Sequence, residues 1–286
     1  MERPDATYVA RLVSDALTED GAARDATAAF LALPAGAVDA EIVLGEPAVV
    51  CGVEVAREVF HQVDPALAFV PAVADGDGGR AGQVVARLRG AASAVVAGER
   101  VALNFLQRLS GTATLASRFV AAVRASGAVI LDTRKTTPLL RDLEKYAVRC
   151  GGAQNHRRDL AAMVLVKENH VRALGGREAL LRRLRGRRAG GFVEVEVDSL
   201  EFLDALLGAR VDRVMLDNFS PDHVSEAIAR IEKHARAGGA RPEVEVSGGI
   251  TLNNVRDYAV RGVDFISVGA LTHSAPAVAM SLEVLA

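Results

Sequence analysis

The spacing of apolar positions changes character along the chain. Over residues 6 to 17, Val9, Leu12, Val13, Ala16 and Leu17 recur at helical intervals, which predicts an N-terminal helix. Residues 39–51 are β-prone, with Ile42, Val43 and Leu44 before Pro47 and Val49 and Val50 after it. Residues 53–61 read as a short helix, and 67–73 and 83–90 as further strands. In the last of these, Val84, Ala86 and Leu88 share one face, while Val85, Arg87 and Arg89 share the other. The turn-rich run DGDGGRAG from Asp75 joins the two. These elements predict a sheet with helices on one face. A long helical stretch follows, at residues 97–125, with Gly111 as a candidate break.

Beyond that helix the rhythm becomes strand, loop, helix. Short apolar-rich runs at 129–132, 163–167, 192–197, 213–217, 244–247 and 265–268 have the character of buried parallel strands. Asp198 to Glu201 resembles a capping box, with Gly208 as a stop. Ser220 and Pro221 give a cap and a first-turn proline, and Thr251 is placed to cap a helix carrying Leu252, Val255 and Ala259. Repeated strand–helix units predict a parallel α/β architecture. The expected form is a closed barrel with fewer than the usual eight strands. A doubly wound open sheet is the alternative, because periodicity does not report closure.

Ligands bind beyond the carboxyl ends of parallel strands in both architectures, so the residues that follow each strand carry the chemistry. They are Asp132, Thr133, Arg134, Lys135 and Thr136; Lys167, Glu168, Asn169 and His170; Glu194 and Glu196; Asp217 and Asn218; Ser247, Gly248 and Gly249; and Ser267, Val268 and Gly269. Polar residues recur at the same end of nearly every strand, which a randomly solvated surface would not produce. Arg134, Lys135 and Lys167, with Asn155, His156 and Arg157 just before the second strand, predict a dense anion site. Glu196 and Asp217 in such a site suit Mg²⁺, ribose hydroxyls or a developing positive charge. Glu194 and Glu196 share one strand face, so either is a candidate for that role and either could serve as an ion-pair partner inside a polar barrel. A Ser-Gly-Gly turn opening a helix offers N–H groups to a phosphate. Together these features fit a phosphorylated sugar and a carboxylated small molecule.

Composition adds exclusions. The chain of 286 residues is half hydrophobic and carries a net charge of −2, which points to neither nucleic acid nor an anionic membrane. The basic run Arg182, Arg183, Arg185, Arg187 and Arg188 lacks interleaved aromatics and reads as a solvated helix end. Two cysteines, Cys51 and Cys150, make neither a disulfide framework nor a zinc cluster. No apolar run reaches the roughly 18 residues of a membrane span, and the charged N-terminus lacks a signal-peptide core. The expectation is a cytoplasmic protein.

The site motifs resemble the quinolinate phosphoribosyltransferase family. The matching stretches are GERVALNFLQRLSGTAT from Gly98, LDTRKTTP from Leu131, EKYAVRCGGAQNHR from Glu144, KENH from Lys167, EVEVDS from Glu194, LDN from Leu216, EVSGGI from Glu245 and GVDFISVGALTHS from Gly262. The chain departs from the family pattern at Leu139, Ala153 and Glu168, and in the segment 21–27.

The resemblance implies an N-terminal α/β sandwich domain over 1–110 and an incomplete, about six-stranded parallel α/β barrel over 111–273. A C-terminal helix, 274–286, would pack back on the first domain. It implies transfer of a phosphoribosyl group to quinolinate with decarboxylation, in a homodimer whose sites are shared across the interface; assembly to a hexamer stays open. Quinolinate would be held by Arg100 of a partner subunit and by Thr133, Arg134, His156, Arg157 and Lys167. Phosphoribosyl pyrophosphate would meet Lys135, Glu196, Asp217, Ser247, Gly248, Gly249, Ser267 and Gly269. Lys135, Lys167, Glu196 and Asp217 would carry the catalysis, with Mg²⁺ held mainly by the donor. The competing readings are a related phosphoribosyltransferase for another aromatic base and a non-catalytic phosphosugar-binding barrel.

Overall fold

The structure, a computed structural model, describes residues 2–33, 36–186, 191–209 and 211–285. Arg187 and Arg188 of the basic run, and the final residue of the expected C-terminal helix, lie outside the described residues. The chain divides into two compact units. One holds the residues up to Ser117, Thr136–Gly152 and the chain from Leu271 on; the other holds Arg118–Lys135 and Ala153–Ala270.

The chain begins with α1 (Ala6–Asp20), capped by Asp5, whose carboxylate accepts from the Tyr8 N–H. A 3₁₀ turn (Ala22–Arg24) and α2 (Ala26–Leu31) lead to β1 (Ala37–Leu44), β2 (Ala48–Val49), α3 (Val53–Val63), β3 (Ala68–Pro71), β4 (Gly78–Gly79) and β5 (Val84–Ala91). Strands β3 and β5 pair antiparallel, as do β5 and β1. The inward residues Ile42, Leu44 and Leu88 meet Leu12, Val13, Val59 and Phe60 of α1 and α3 in one hydrophobic cluster. The helix α4 (Ala92–Val123) is continuous over 32 residues, so Gly111 does not break it. A Cβ at Gly111 would lie 2.0 Å from the Pro276 carbonyl, so glycine serves close approach there and not a turn.

The elements that follow are β6 (Val129–Leu131), α5 (Arg141–Cys150), β7 (Val164–Val166), α6 (Glu168–Leu174), α7 (Arg177–Arg185), β8 (Val193–Val197), α8 (Leu200–Leu207), β9 (Arg213–Asp217), α9 (Pro221–Arg236), β10 (Glu243–Ser247), α10 (Val255–Tyr258), β11 (Phe265–Ser267), α11 (Ala270–His273) and β12 (Met280–Val284). The helices α5 and α6 are additions to the sequence-derived picture, whereas α7 ends in Arg182, Arg183 and Arg185 of the basic run that reads as a helix end. Ser220 caps α9 as expected, whereas the cap of α8 is Ser199, which accepts from the Phe202 N–H, one residue after Asp198 of the expected capping box. Thr251 does not cap α10: its own N–H donates to Asn254 Oδ1 at 2.7 Å, and the helix starts only at Val255.

The expected C-terminal helix is a strand. β12 pairs antiparallel with β1 and completes a four-stranded sheet in the order β12-β1-β5-β3. Leu282 faces Ile42 there, and strand pairing outweighs any helical periodicity in so short a tail. A second departure is local. Leu139 holds a left-handed φ of 66°, a conformation that costs a leucine about 1–2 kcal/mol.

The six strands of the second unit form one parallel sheet in the order β6-β11-β10-β9-β8-β7. That is the cyclic order of a barrel opened between its first and second strands; a doubly wound sheet would reverse direction in the middle. Val195, Val197, Val214, Leu216, Val244, Val246 and Ile266 are fully buried, and each such side chain contributes about 1.5–3 kcal/mol. Among the described residues no helix is long and apolar enough to cross a membrane.

Candidate active site

The alternate positions of the same strands carry the polar chemistry. Leu165, Lys167, Glu196, Met215, Asp217, Glu245, Ser247 and Ser267 line one cavity of about 540 Å³. Three pairs lie two residues apart, Leu165 and Lys167, Met215 and Asp217, and Glu245 and Ser247, as one face of a strand must. The loop after β6 adds Thr133, Arg134 and Lys135, and the segment before β7 adds His156 and Arg157. Asn218, Gly248 and Gly249 close the rim.

Charges of both signs converge on this cavity. Lys167 Nζ donates to Glu196 Oε2 at 2.9 Å across neighbouring strands. Asp217 accepts from Asn218 Nδ2 at 2.8 Å. Burial and the negative charge of Glu196 raise the Asp217 pKa, while Lys167, Asn218 and Lys135 act against them. Arg157 is disfavoured as a cation first by burial and then by Arg134, with Glu194 opposing. Among the described residues Arg134 Nε is buried without a hydrogen-bond partner, which leaves a donor unspent in the cavity wall. The Thr133 hydroxyl accepts from the Lys135 N–H at 3.0 Å and fixes the turn that carries both cations.

The rim turn has little steric freedom. Asn218 holds a left-handed φ of 57°, and its N–H donates to the Ser247 carbonyl at 2.9 Å. A Cβ at Gly248 would fall 2.3 Å from Asn218 Oδ1, so only glycine fits between β10 and that asparagine.

Beneath the rim lies a buried polar layer. Glu194 and Glu245 are fully buried, and His156 Nε2 lies 3.2 Å from Glu194 Oε2 and 3.4 Å from Glu245 Oε2. Arg213 meets Glu245 at 3.1 Å and Glu243 at 2.8 Å, with its guanidinium 3.9 Å from the Phe265 ring centroid. Burial raises the Glu194 pKa, with His156 working against it. Glu245 is held below the ordinary range: His156, Ser267 and Arg213 overcome its desolvation.

Residues 25–110 match the quinolinate phosphoribosyl transferase N-terminal domain, and residues 112–283 match the C-terminal domain of the same family. The chain belongs to the quinolinate phosphoribosyltransferase family. It is 42% identical over 247 residues to the nicotinate-nucleotide pyrophosphorylase [carboxylating] of Mycobacterium leprae, covering 85% of each chain. A probable nicotinate-nucleotide pyrophosphorylase of Bacillus subtilis is 39% identical, over 86% of this chain and 83% of the relative. The solved nicotinate-nucleotide pyrophosphorylase of Francisella tularensis superposes with a TM-score of 0.90 at 36% identity, covering 100% of both chains.

Most of the residues singled out by the phosphoribosyltransferase resemblance share the cavity: Thr133, Arg134, Lys135, His156, Arg157, Lys167, Glu196, Asp217, Ser247, Gly248, Gly249 and Ser267. Two do not line it. Gly269 follows β11 outside the lining, and Arg100 lies on α4 in the first unit, exposed, with its guanidinium 2.7 Å from Glu99. The two glutamates of β8 separate: Glu196 reaches the cavity, whereas Glu194 lies below it against His156. Glu245, Leu165 and Met215 were absent from the sequence-derived set. Their signal was present, since each lies two residues before a named strand-end residue and so on the same face.

Proposed function

We propose that this chain transfers the phosphoribosyl group of phosphoribosyl pyrophosphate to quinolinate, releasing pyrophosphate and CO₂ and leaving nicotinate mononucleotide. The observation that supports this reading is one cavity in which Arg134, Lys135, Arg157 and Lys167 face Glu196 and Asp217 beside a Ser247-Gly248-Gly249 turn. Relatives named for this chemistry support it further.

Arg134 and Arg157 suit the two carboxylates of the acid, with Leu165 and Met215 as apolar surface for a flat ring. Lys135 and Lys167 offset charge on the departing pyrophosphate. The ring nitrogen forms a bond to the ribosyl carbon as the carbon–oxygen bond to pyrophosphate breaks. Glu196 and Asp217 stabilise the positive charge that develops there and accept from ribose hydroxyls. Ser247, Gly248, Gly249 and Ser267 offer hydroxyl and N–H groups to the 5′-phosphate, with Gly269 near the end of β11.

After transfer, the cationic ring accepts the electron pair left when the adjacent carbon–carboxylate bond breaks, and a proton replaces CO₂. No covalent nucleophile is needed; positioning and electrostatics suffice. Mg²⁺ fits the same wall, because Glu196 and Asp217 are oxygen donors whose mutual repulsion a cation relieves. Bound with the donor, the ion would neutralise pyrophosphate charge. Arg100 would enter the site from a second copy of the chain.

The test supplies purified protein with quinolinate, phosphoribosyl pyrophosphate and Mg²⁺, with nicotinate in parallel. Equal release of CO₂ and pyrophosphate from quinolinate alone is expected. Pyrophosphate without CO₂ from nicotinate would move the chain to a related transferase, and ligand binding without any release would mark a binding protein. Mixing Arg100→Ala with Lys135→Ala chains should restore part of the activity; verified hybrids without activity would remove Arg100 from a shared site.

A further inference from the structure

The strand-end motif Lys167-Glu168-Asn169-His170 closes on a histidine that the proposed reaction does not use. His170 does not line the substrate cavity. It shares a separate hollow with Val164 and Val166, on the face of β7 opposite Leu165. Its Nδ1 accepts from the Lys167 N–H at 2.9 Å, and its own N–H donates to the Lys167 carbonyl at 2.8 Å. These two bonds close the first turn of α6 reciprocally, with His170 in the place that a capping box gives to glutamate or glutamine. α6 has only seven residues, so helix propensity alone would hold that turn weakly.

The turn presents two donors to one carboxylate. Lys167 Nζ donates to Glu196 Oε2 at 2.9 Å, and the Glu168 N–H donates to Glu196 Oε1 at a longer 3.5 Å. Both matter, because Glu196 has a second carboxylate for a neighbour. Its charge disfavours the anion of Asp217, so the two repel. Donors on both oxygens oppose that repulsion and fix the plane of the Glu196 carboxylate.

We propose that His170 is a positioning residue for Glu196: by tying down the Lys167 N–H, it holds the strand-end turn whose ammonium and amide grip the two oxygens of Glu196. This rests on the reading of the cavity as a phosphoribosyl-transfer site. The ring acts on the reaction from outside the cavity, through Lys167 and Glu168. Its contact also defines its working form. Nδ1 accepts, so the ring is neutral with its proton on Nε2, and a proton on Nδ1 would meet the Lys167 N–H head-on. Asparagine is the closest substitute, because its Oδ1 lies as many bonds from the backbone as Nδ1 does.

Two measurements on the full chain decide this. The first is steady-state kinetics. His170→Ala should lower kcat about tenfold, the effect of losing one hydrogen bond that orders the site. The quinolinate KM should stay within about twofold, since Arg134 and Arg157 do not hang on this turn. His170→Asn or His170→Asp, which keep an acceptor at the same place, should recover most of the loss. In a Glu196→Ala background the cost of His170→Ala should shrink, because the carboxylate it orients is gone. An unchanged kcat in His170→Ala, no recovery in either acceptor variant, or losses that multiply in full in the double variant would overturn the proposal. The second is nitrogen NMR of histidine-labelled, substrate-free protein at about pH 8, with the His170 signal assigned by its loss in His170→Asn. A ring protonated on Nε2 alone is expected, and a proton on Nδ1 would overturn the proposal. Wild-type protein inactive on quinolinate would instead defeat the functional reading, while the NMR experiment, which needs no substrate, still decides whether the ring holds the turn.

Discussion

The two sheets of this protein apply one sequence pattern to opposite ends. In β5, Arg87 and Arg89 alternate with Ala86 and Leu88 and pair across to Glu41 and Asp39 of β1, at 3.0 and 2.6 Å. Those arginines stay 60% and 63% exposed. In β8 and β10, glutamates alternate with valines just as regularly, yet Glu194 and Glu245 are 0% exposed. The difference lies in what covers the second face. The antiparallel sheet packs one face on helices and leaves the other to water. The parallel sheet buries its outer valines and curves its polar face into a barrel interior. A charged strand face is therefore not always a solvated one. Where it turns inward, its charges must neutralise one another, and they become available as chemistry.

The contrast can be broken most directly at Arg213, which is 12% exposed and faces the fully buried Glu245. Arg213→Ala should lower stability by about 3–5 kcal/mol in urea unfolding, because it strands a buried carboxylate. A loss under about 1 kcal/mol would mean that the interior charges are as well solvated as the exterior ones.

Next in size is Glu196→Gln, at the point where the inward face reaches the cavity. On the proposed reaction, kcat should fall about a hundredfold or more, with little change in either KM. An unchanged kcat would take Glu196 out of the catalytic set.

A smaller effect separates Asp217 from an ordinary surface carboxylate. Burial and Glu196 raise its pKa, so as pH falls it takes up a proton sooner than a free aspartate would. If its anion is the working form, the acid limb of kcat should lie above the free value of about 3.9, and Asp217→Asn should abolish that limb along with most activity. An acid limb at the free value would assign the titration to another group.

The smallest effect belongs to the solvated sheet. Arg87→Ala should change stability by less than about 1 kcal/mol, since its partner contact is exposed and screened by salt. A loss as large as that at Arg213 would erase the distinction between the sheets.

How far the sequence alone reached follows from the same contrast. Local rules placed α1, α3, β5 and every strand of the parallel sheet, because apolar periodicity and capping residues act within a few positions. The polar strand ends identified the cavity, because in a parallel sheet all the strands deliver their carboxyl ends to one side. Decisions that depend on distant partners needed the tertiary structure. The C-terminal segment is a strand because β1 offers it an edge, and Gly111 is a glycine inside a continuous helix because its missing side chain admits the Pro276 carbonyl. Glu194 and Glu196 carry the same charge on the same strand face. Only the depth of the barrel makes one a buried neighbour of His156 and the other a partner of Lys167 at the cavity wall. Alternation along a strand fixes which residues share a face, but the packing around that face decides whether their charges meet water, a ligand or each other.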